Sequence, residues 1–415
     1  MKKTDNKEIK PGFKPSPLGP IPSEWAVKRL GDICQIKGRI GYRGYTIEDI
    51  VPKGEGAITM SPSNFKNGYL DYSDSTYISW FKYIESPEIQ LVNGDILLVK
   101  TGSTYGKTAL VNNLPEKATI NPQIVVIKNV KSDVKFLSYI ISDNIIQKQI
   151  SSAIVGGAIP TLSQENILNF IFPFPPLPEQ CAIAACLSNW DNAIIKVQAL
   201  LAQKELRKKW LMQNLLTGKK RLKGFDGEWR KLGAGEIFKS ITIKGFENEE
   251  LLSATQDKGI IPRTMLEGRV TMPEGTTTGY KLVESGDFVI SLRSFQGGLE
   301  YSYYRGIVSP AYIVLKPIKK IDDEFYKQYY KSYEFIGRLA TAVIGIRDGK
   351  QISYDDYCLV KIPFPSFNEQ TAIANVLQIA DKEIQLLKTK VEKLKEQKKG
   401  LMQVLLTGKK RLTVK

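Results

Sequence analysis

Residues 173–222 read PFPPLPEQCAIAACLSNWDNAIIKVQALLAQKELRKKWLMQNLLTGKKRL, and residues 363–412 read PFPSFNEQTAIANVLQIADKEIQLLKTKVEKLKEQKKGLMQVLLTGKKRL. Aligned at a constant offset of 190 with no gap, 24 of the 50 positions are identical, and the closing LLTGKKRL is the same in both. A match of that length within one chain is an internal duplication, and it organises the reading of everything else.

Both copies read as long helices. The proline-rich entries, Pro173 to Pro178 and Pro363 to Pro365, stop the preceding strand and stiffen the approach. Pro178 suits a first helical turn, and Gly218 and Gly408 suit helix ends followed by basic charge. Between them apolar residues alternate at spacings of four and three. The first copy has Ile183, Leu187, Trp190, Ile194, Val197, Leu201, Leu211 and Leu215, interrupted by Lys204 and Lys208. The second has Ile373, Leu377, Ala380, Ile384, Leu387, Val391, Leu394, Leu401 and Leu405, interrupted by Lys398. That is a coiled-coil seam. About 36 residues give a helix of roughly 54 Å. Two such helices with narrow stripes are expected to pack on each other, antiparallel; the alternative is that each lies on its own globular half.

The duplication continues upstream more weakly. Trp25 to Ile33 matches Trp229 to Ile237, Asn93-Gly94-Asp95-Ile96 matches Ser285-Gly286-Asp287-Phe288, and Ile120-Asn121-Pro122 matches Val308-Ser309-Pro310. Short runs such as DILLVK, QIVVIK, DFVISL and AYIVLK, bounded by Gly, Pro, Asn and Ser, predict strands. Helix is expected near Val134–Ser151 and Asp323–Thr341. The expected fold is therefore α+β: two similar β-rich domains separated by two long antiparallel helices, with pseudo-two-fold internal duplication. The expected boundaries are an N-terminal tail (1–24), a first domain (25–172), a central helical spacer (173–222), a second domain (223–362) and a C-terminal helical spacer (363–415).

Composition narrows the function. The formal net charge of +16 favours an anionic partner, nucleic acid first and an acidic membrane surface second. Residues 179–223 carry nine Lys/Arg against three Asp/Glu, and residues 369–415 eleven against five, so the helical segments hold most of the excess. The absence of histidine removes Ser-His-Asp and Cys-His catalysis and His-ligated metals. Cys34, Cys181, Cys186 and Cys358 show neither CxxC spacing nor a disulfide framework, which fits a reducing cytoplasm. The opening MKKTDNKEIK does not read as a signal peptide, and no run of eighteen apolar residues predicts a membrane span.

The PFPPLPEQ…AIA…LTGKKRL segment after each diverged domain resembles the specificity subunit of type I restriction-modification systems. So do GPIPSEW before the first domain, GFDGEW before the second, and the Gly-Asp-plus-strand feature in each. The resemblance covers nearly the whole chain. It implies two target-recognition domains, each reading one half of a split sequence in double-stranded DNA, and helices that space them and dock two modification subunits. It implies no catalysis and no cofactor in this chain. S-adenosylmethionine would be bound by the modification subunits, and restriction subunits would complete a cytoplasmic complex that involves no membrane. Two similar units can approach two half-sites as a dimer does, and unlike domains imply unlike half-sites. A coiled-coil scaffold without DNA specificity and a stand-alone nucleic-acid-modifying enzyme are the alternatives.

Several segments are candidates for DNA contact. Lys100, Thr101, Ser103, Tyr105 and Lys107 lie in a loop whose Gly102 and Gly106 have three residues between them, one too few for a Walker A loop. Its glycines and donors suit phosphate contact. The matching loop in the second domain holds Arg293, Ser294 and Gln296, where Arg293 could bond guanine and Gln296 adenine. Arg39, Tyr42, Arg43 and Tyr45 form a basic aromatic run suited to backbone contact and stacking. Arg263 and Arg347 are further candidates. Asn121-Pro122-Gln123-Ile124 falls short of an amino-methyltransferase Asn-Pro-Pro-aromatic motif, as does Ser309-Pro310-Ala311-Tyr312, and both read as turns entering strands.

Overall fold

A computed structural model describes residues 10–66, 68–153, 161–266, 277–342 and 352–412. The chain forms two compact units: Met1–Lys196 together with Val391–Lys415, and Val197–Lys390. Each unit therefore takes residues from both copies of the repeat.

In the first unit, one four-stranded antiparallel sheet has the order Thr108–Leu110, Ile96–Val99, Ile124–Lys128, Gln35–Gly38. A second has the order Ala118–Ile120, Gly56–Met60, Thr76–Ser79, Ile50–Val51, its first pair parallel. The apolar runs ILLV and IVVI are continuous because the first sheet is covered on both faces. Leu97, Val99, Ile124 and Val126 face Ile58, Met60 and Ile120 of the second sheet. Ile96, Leu98, Val125 and Ile127 face helices through Phe136, Ile140 and Ile150. The helix expected near Val134–Ser151 is present as two, Val134–Ser142 and Asn144–Ala153. Asp143 divides them, its carboxylate accepting from Ile145 N at 3.0 Å.

The second unit repeats the plan. Its main sheet has the order Phe238–Ile241, Ile313–Pro317, Phe288–Ile290, Glu300–Tyr301. Phe288, Ile290 and Leu315 face an aromatic-rich helical layer, while Val289 and Val314 face Leu252, Ile260, Val283 and Val308. Here too the helix expected near Asp323–Thr341 is present as two, Asp323–Tyr330 and Tyr333–Ala342.

The preceding strands end within the proline-rich entries, at Phe174 before Pro175 and at Phe364 before Pro365, but the first proline of each entry, Pro173 or Pro363, lies inside its strand. Ile171–Phe174 pairs with Ala26–Arg29, and Lys361–Phe364 pairs with Arg230–Gly233. Proline is tolerated because these ribbons have only two strands, so its missing N–H can face outward.

The long helices run Leu177–Leu215 and Phe367–Leu405, 39 residues each or about 58 Å. Within both units they pair antiparallel. Asp191 meets Lys398 in the first; Lys204 meets Glu383 and Lys208 meets Asp381 in the second. The lysines that interrupt the heptads are thus the cross-helix ion partners. Of the expected seam, Ile194, Ile384 and Val391 are buried, and Leu201, Leu387 and Leu394 half-buried. The beginning of each helix lies on its own globular half instead. Ile183 and Leu187 belong to the first domain's core, Ile373 and Leu377 to the second's. Both packing alternatives are realised, at different turns of one helix.

The repeated LLTGKKRL closes each unit. Gly408 has φ +70°, and a Cβ on it would lie 2.5 Å from Pro22 and 3.3 Å from the Trp25 ring. Gly218, at φ +72°, sits against Trp229 in the same way, with a Cβ at 3.1 Å. Trp25 Nε1 donates to Glu179 at 2.9 Å, and Trp229 Nε1 to Glu369 at 2.9 Å. Gln180 and Gln370, the next residues of the repeat, accept from Asp133 N and Asp322 N. These contacts give Trp, Glu-Gln and Gly the same structural task in both copies.

Candidate nucleic-acid interface

Strand register brings the candidate segments of the first domain to one end. Val125 is opposite Gly38 and also opposite Leu98, and Val99 is opposite Ile124. The chain leaving Gly38, the loop leaving Val99 and the turn entering Ile124 therefore share that end. The second sheet adds the Ser61–Lys66 turn, since Met60 is opposite Ile120 and Asn121 N donates to Met60 O at 2.9 Å.

The Lys100–Lys107 loop is closed at its base by Gly106 N to Val99 O and Val99 N to Lys107 O, both 2.9 Å. Gly106 has φ +81°, a backbone conformation that favours glycine, and it lies close to the end of the Gln147 side chain. Ser103 and Lys107 are exposed; Lys100 and Thr101 are half-buried. Tyr105 is also half-buried and packs one side on the core.

Arg39 is an internal brace. It is 6% exposed and donates to Ile120 O, Arg43 O and Thr119 Oγ1 at 3.2–3.3 Å. Burial lowers its pKa from the ordinary arginine value. The expected direct contact is thus replaced by a role in pinning the run to the Ala118–Ile120 strand. Tyr42 is openly presented, while Arg43 is half-buried and paired with Glu88 at 3.5 Å.

In the second domain Ile290 is opposite Ile313, so the Ser291–Gly298 turn and the Ser309–Tyr312 turn share an end. Arg293 and Gln296 are exposed on it. Ser294 is fully buried, its Oγ accepting from Ser291 N at 2.8 Å, and shapes the turn rather than facing outward. Arg263 lies elsewhere, at the open end of the Leu252–Thr255/Gly259–Pro262 hairpin, donating to Ser253 Oγ at 3.1 Å. The opposite end of that hairpin meets the Arg293 turn through Lys331, which donates to both Gln256 O and Gly297 O. Arg347 lies outside the described residues.

The shared Gly-Asp turns stand at the other end of the strands. Gly94 and Gly286 both have φ +99°. Asp95 accepts from Val92 N at 2.9 Å and pairs with Lys128 at 2.5 Å. In the second domain the equivalent lysine, Lys316, pairs with Glu284 instead. Asp287, left with the Glu284 N–H at 2.8 Å, is pushed up to about 6 by burial.

Sequence reasoning missed Ser61, Ser63, Lys66 and Gln123, which line one polar depression with Thr101, Ser103 and Lys107. Gln123 alone left a trace, as the polar head of an apolar run at the same strand end. Among the described residues no cluster of His, Cys, Asp or Glu suits a metal ion, and no helix is long and apolar enough to cross a membrane.

The fold is a tandem pair of similar α+β domains, each packed on residues of both long helices. The family model for the type I restriction modification DNA specificity domain matches residues 22–203 and again 227–396, and the chain belongs to that family. It is similar to the type I restriction enzyme MjaVIII specificity subunit of Methanocaldococcus jannaschii, 26% identical over 94% of this chain and 93% of the relative. Its fold is similar to that of the HsdS subunit from Thermoanaerobacter tengcongensis, with TM-score 0.51 and 19% identity, covering 94% of this chain and 98% of that one. A chain from a solved type I R-M system has TM-score 0.59 at 19% identity, over 94% of this chain and 99% of its own.

Proposed function

We propose that the chain is the DNA sequence-specificity subunit of a type I restriction-modification complex. Each domain reads one half of a bipartite target, and the chain itself is not catalytic. One observation carries this reading: both domains gather polar and basic loops at one strand end, on a shared frame, with loops that differ in sequence. Phosphate contacts from Lys107 and its neighbours fix position, and the exposed Arg293 and Gln296 suit base edges.

The helices dock two modification subunits that bind S-adenosylmethionine and carry out methyl transfer, and restriction subunits join in the cytoplasm. Exposed apolar side chains on the helices support a protein-docking role, among them Leu206, Trp210, Ile379 and Leu386. Mapping methylated positions in cells that express this chain with its modification subunit tests the reading. One split motif with unlike halves is expected; a continuous motif, or methylation by this chain alone, overturns it.

A further inference from the structure

We propose that Gln123 is a base-reading side chain of the first domain and that Asn121 is the residue that positions it; this rests on the DNA-specificity function proposed above. Gln123 is exposed, in the depression lined by Ser61, Lys66, Thr101, Ser103 and Lys107. The 100–107 loop passes close beside it, since a Cβ on Gly102 would lie 3.5 Å from Gln123 Nε2. Lys66 and Lys107 thus stand where phosphates would flank a base held at the amide.

The amide is braced. Asn121 is 8% exposed, and its backbone N donates to Met60 O at 2.9 Å. Its Oδ1 accepts from Gln123 N at 3.0 Å, forming the turn, and its Nδ2 donates to Gln123 Oε1 at 3.2 Å. The first bond suffices to start a strand. The second fixes an outward side chain, which reduces the rotamer freedom lost on binding.

The duplicate domain supports the assignment. Ser309-Pro310-Ala311 occupies the matching position, and Ala311 N donates to Ser309 Oγ at 3.3 Å. The turn is kept while the outward residue changes from Gln to Ala, as two domains that read unlike half-sites require. A carboxamide offers a donor and an acceptor side by side, which matches the N6 and N7 edge of adenine.

The test is methylation mapping of cells carrying the modification subunit with wild-type chain, Gln123→Ala or Asn121→Asp. Gln123→Ala is expected to reduce methylation of sites with the original base at one position of one half-site by roughly 5- to 150-fold relative to the other bases there. The other half-site should be unchanged. Asn121→Asp keeps the turn acceptor and removes the brace donor, so it should weaken preference at that same position by less. A wild-type motif that is not split defeats the functional reading itself. A split wild-type motif whose base preferences survive Gln123→Ala, or whose sites all weaken alike, overturns the role of Gln123.

Discussion

Arg411 reaches across 232 positions of chain to set two guanidinium nitrogens against the two carboxylate oxygens of Glu179, at 2.7 and 2.8 Å. The carboxylate side chain is 4% exposed and also accepts from Trp25, so the planar fork is its main compensation for burial. Arg221 makes the same pair with Glu369. Each copy of the repeat thus supplies the arginine for the other copy's glutamate.

Removing that arginine strands a buried charge. Arg411→Ala is expected to destabilise the first unit by about 2–4 kcal/mol, and Arg411→Lys by less but measurably, because one ammonium cannot serve both oxygens. Calorimetry of the full chain, with one transition falling and the other holding, is the readout. Arg221→Ala should lower the other transition.

Two glycines separate backbone need from helix propensity. Gly218→Ala must place a methyl 3.1 Å from the Trp229 ring at φ +72° and should cost about 1–3 kcal/mol. Gly337→Ala, in the Tyr333–Ala342 helix with nothing within 4 Å of its Cβ, should be neutral or stabilise by up to about 1 kcal/mol. Equal effects in a urea titration would contradict this account of the helix end.

Asp287 ties stability to pH. Its ordinary value of 3.8 is raised to about 6 in the fold, so the folded state holds more protons between those values. Its contribution is present below the unfolded value and fades as pH rises through about 6, by up to about 1–2 kcal/mol after allowance for solvent screening. Asp287→Asn should flatten the difference in unfolding midpoint between about pH 4 and about pH 7. Glu284→Val should act similarly by returning Lys316 to Asp287, the arrangement Lys128 and Asp95 already adopt at 2.5 Å.

Charge and base contacts should separate in binding. Lys107→Ala is expected to weaken DNA binding alike across sequences and to reduce the salt slope by about one. Arg293→Ala should relax one position of the second half-site at a cost of about 1–3 kcal/mol. Competition binding at two salt concentrations, with the modification subunit present, distinguishes them. A uniform loss from Arg293→Ala would place that residue on the backbone.

The duplication, the long helices and the covered strands were legible because each leaves a repeated or periodic trace: LLTGKKRL twice, the four-three spacing, and ILLV and IVVI as runs buried on both faces. The interface was legible only in part. Sequence marks Arg39 and Ser294 as polar loop residues, but whether a guanidinium meets solvent or Ile120 O depends on a strand 80 positions away. That Pro173 lies inside the strand rather than after it was hidden for a related reason, since its tolerance follows from pairing with a single partner, Ala26–Arg29. Gln123 was hidden because the bond that singles it out comes from a neighbour's side chain.

The composition of the first unit also bears on synthesis. Its body spans Met1–Lys196 and Val391–Lys415, so Arg411, Gly408 and Leu405 leave the ribosome only after all of Val197–Lys390 has been made. The second unit has every residue it needs first, and the earlier-made domain waits, with the surfaces around Trp25 and Leu187 uncovered, for the last segment to arrive. During that interval the nascent chain depends on folding assistance more at its beginning than at its middle.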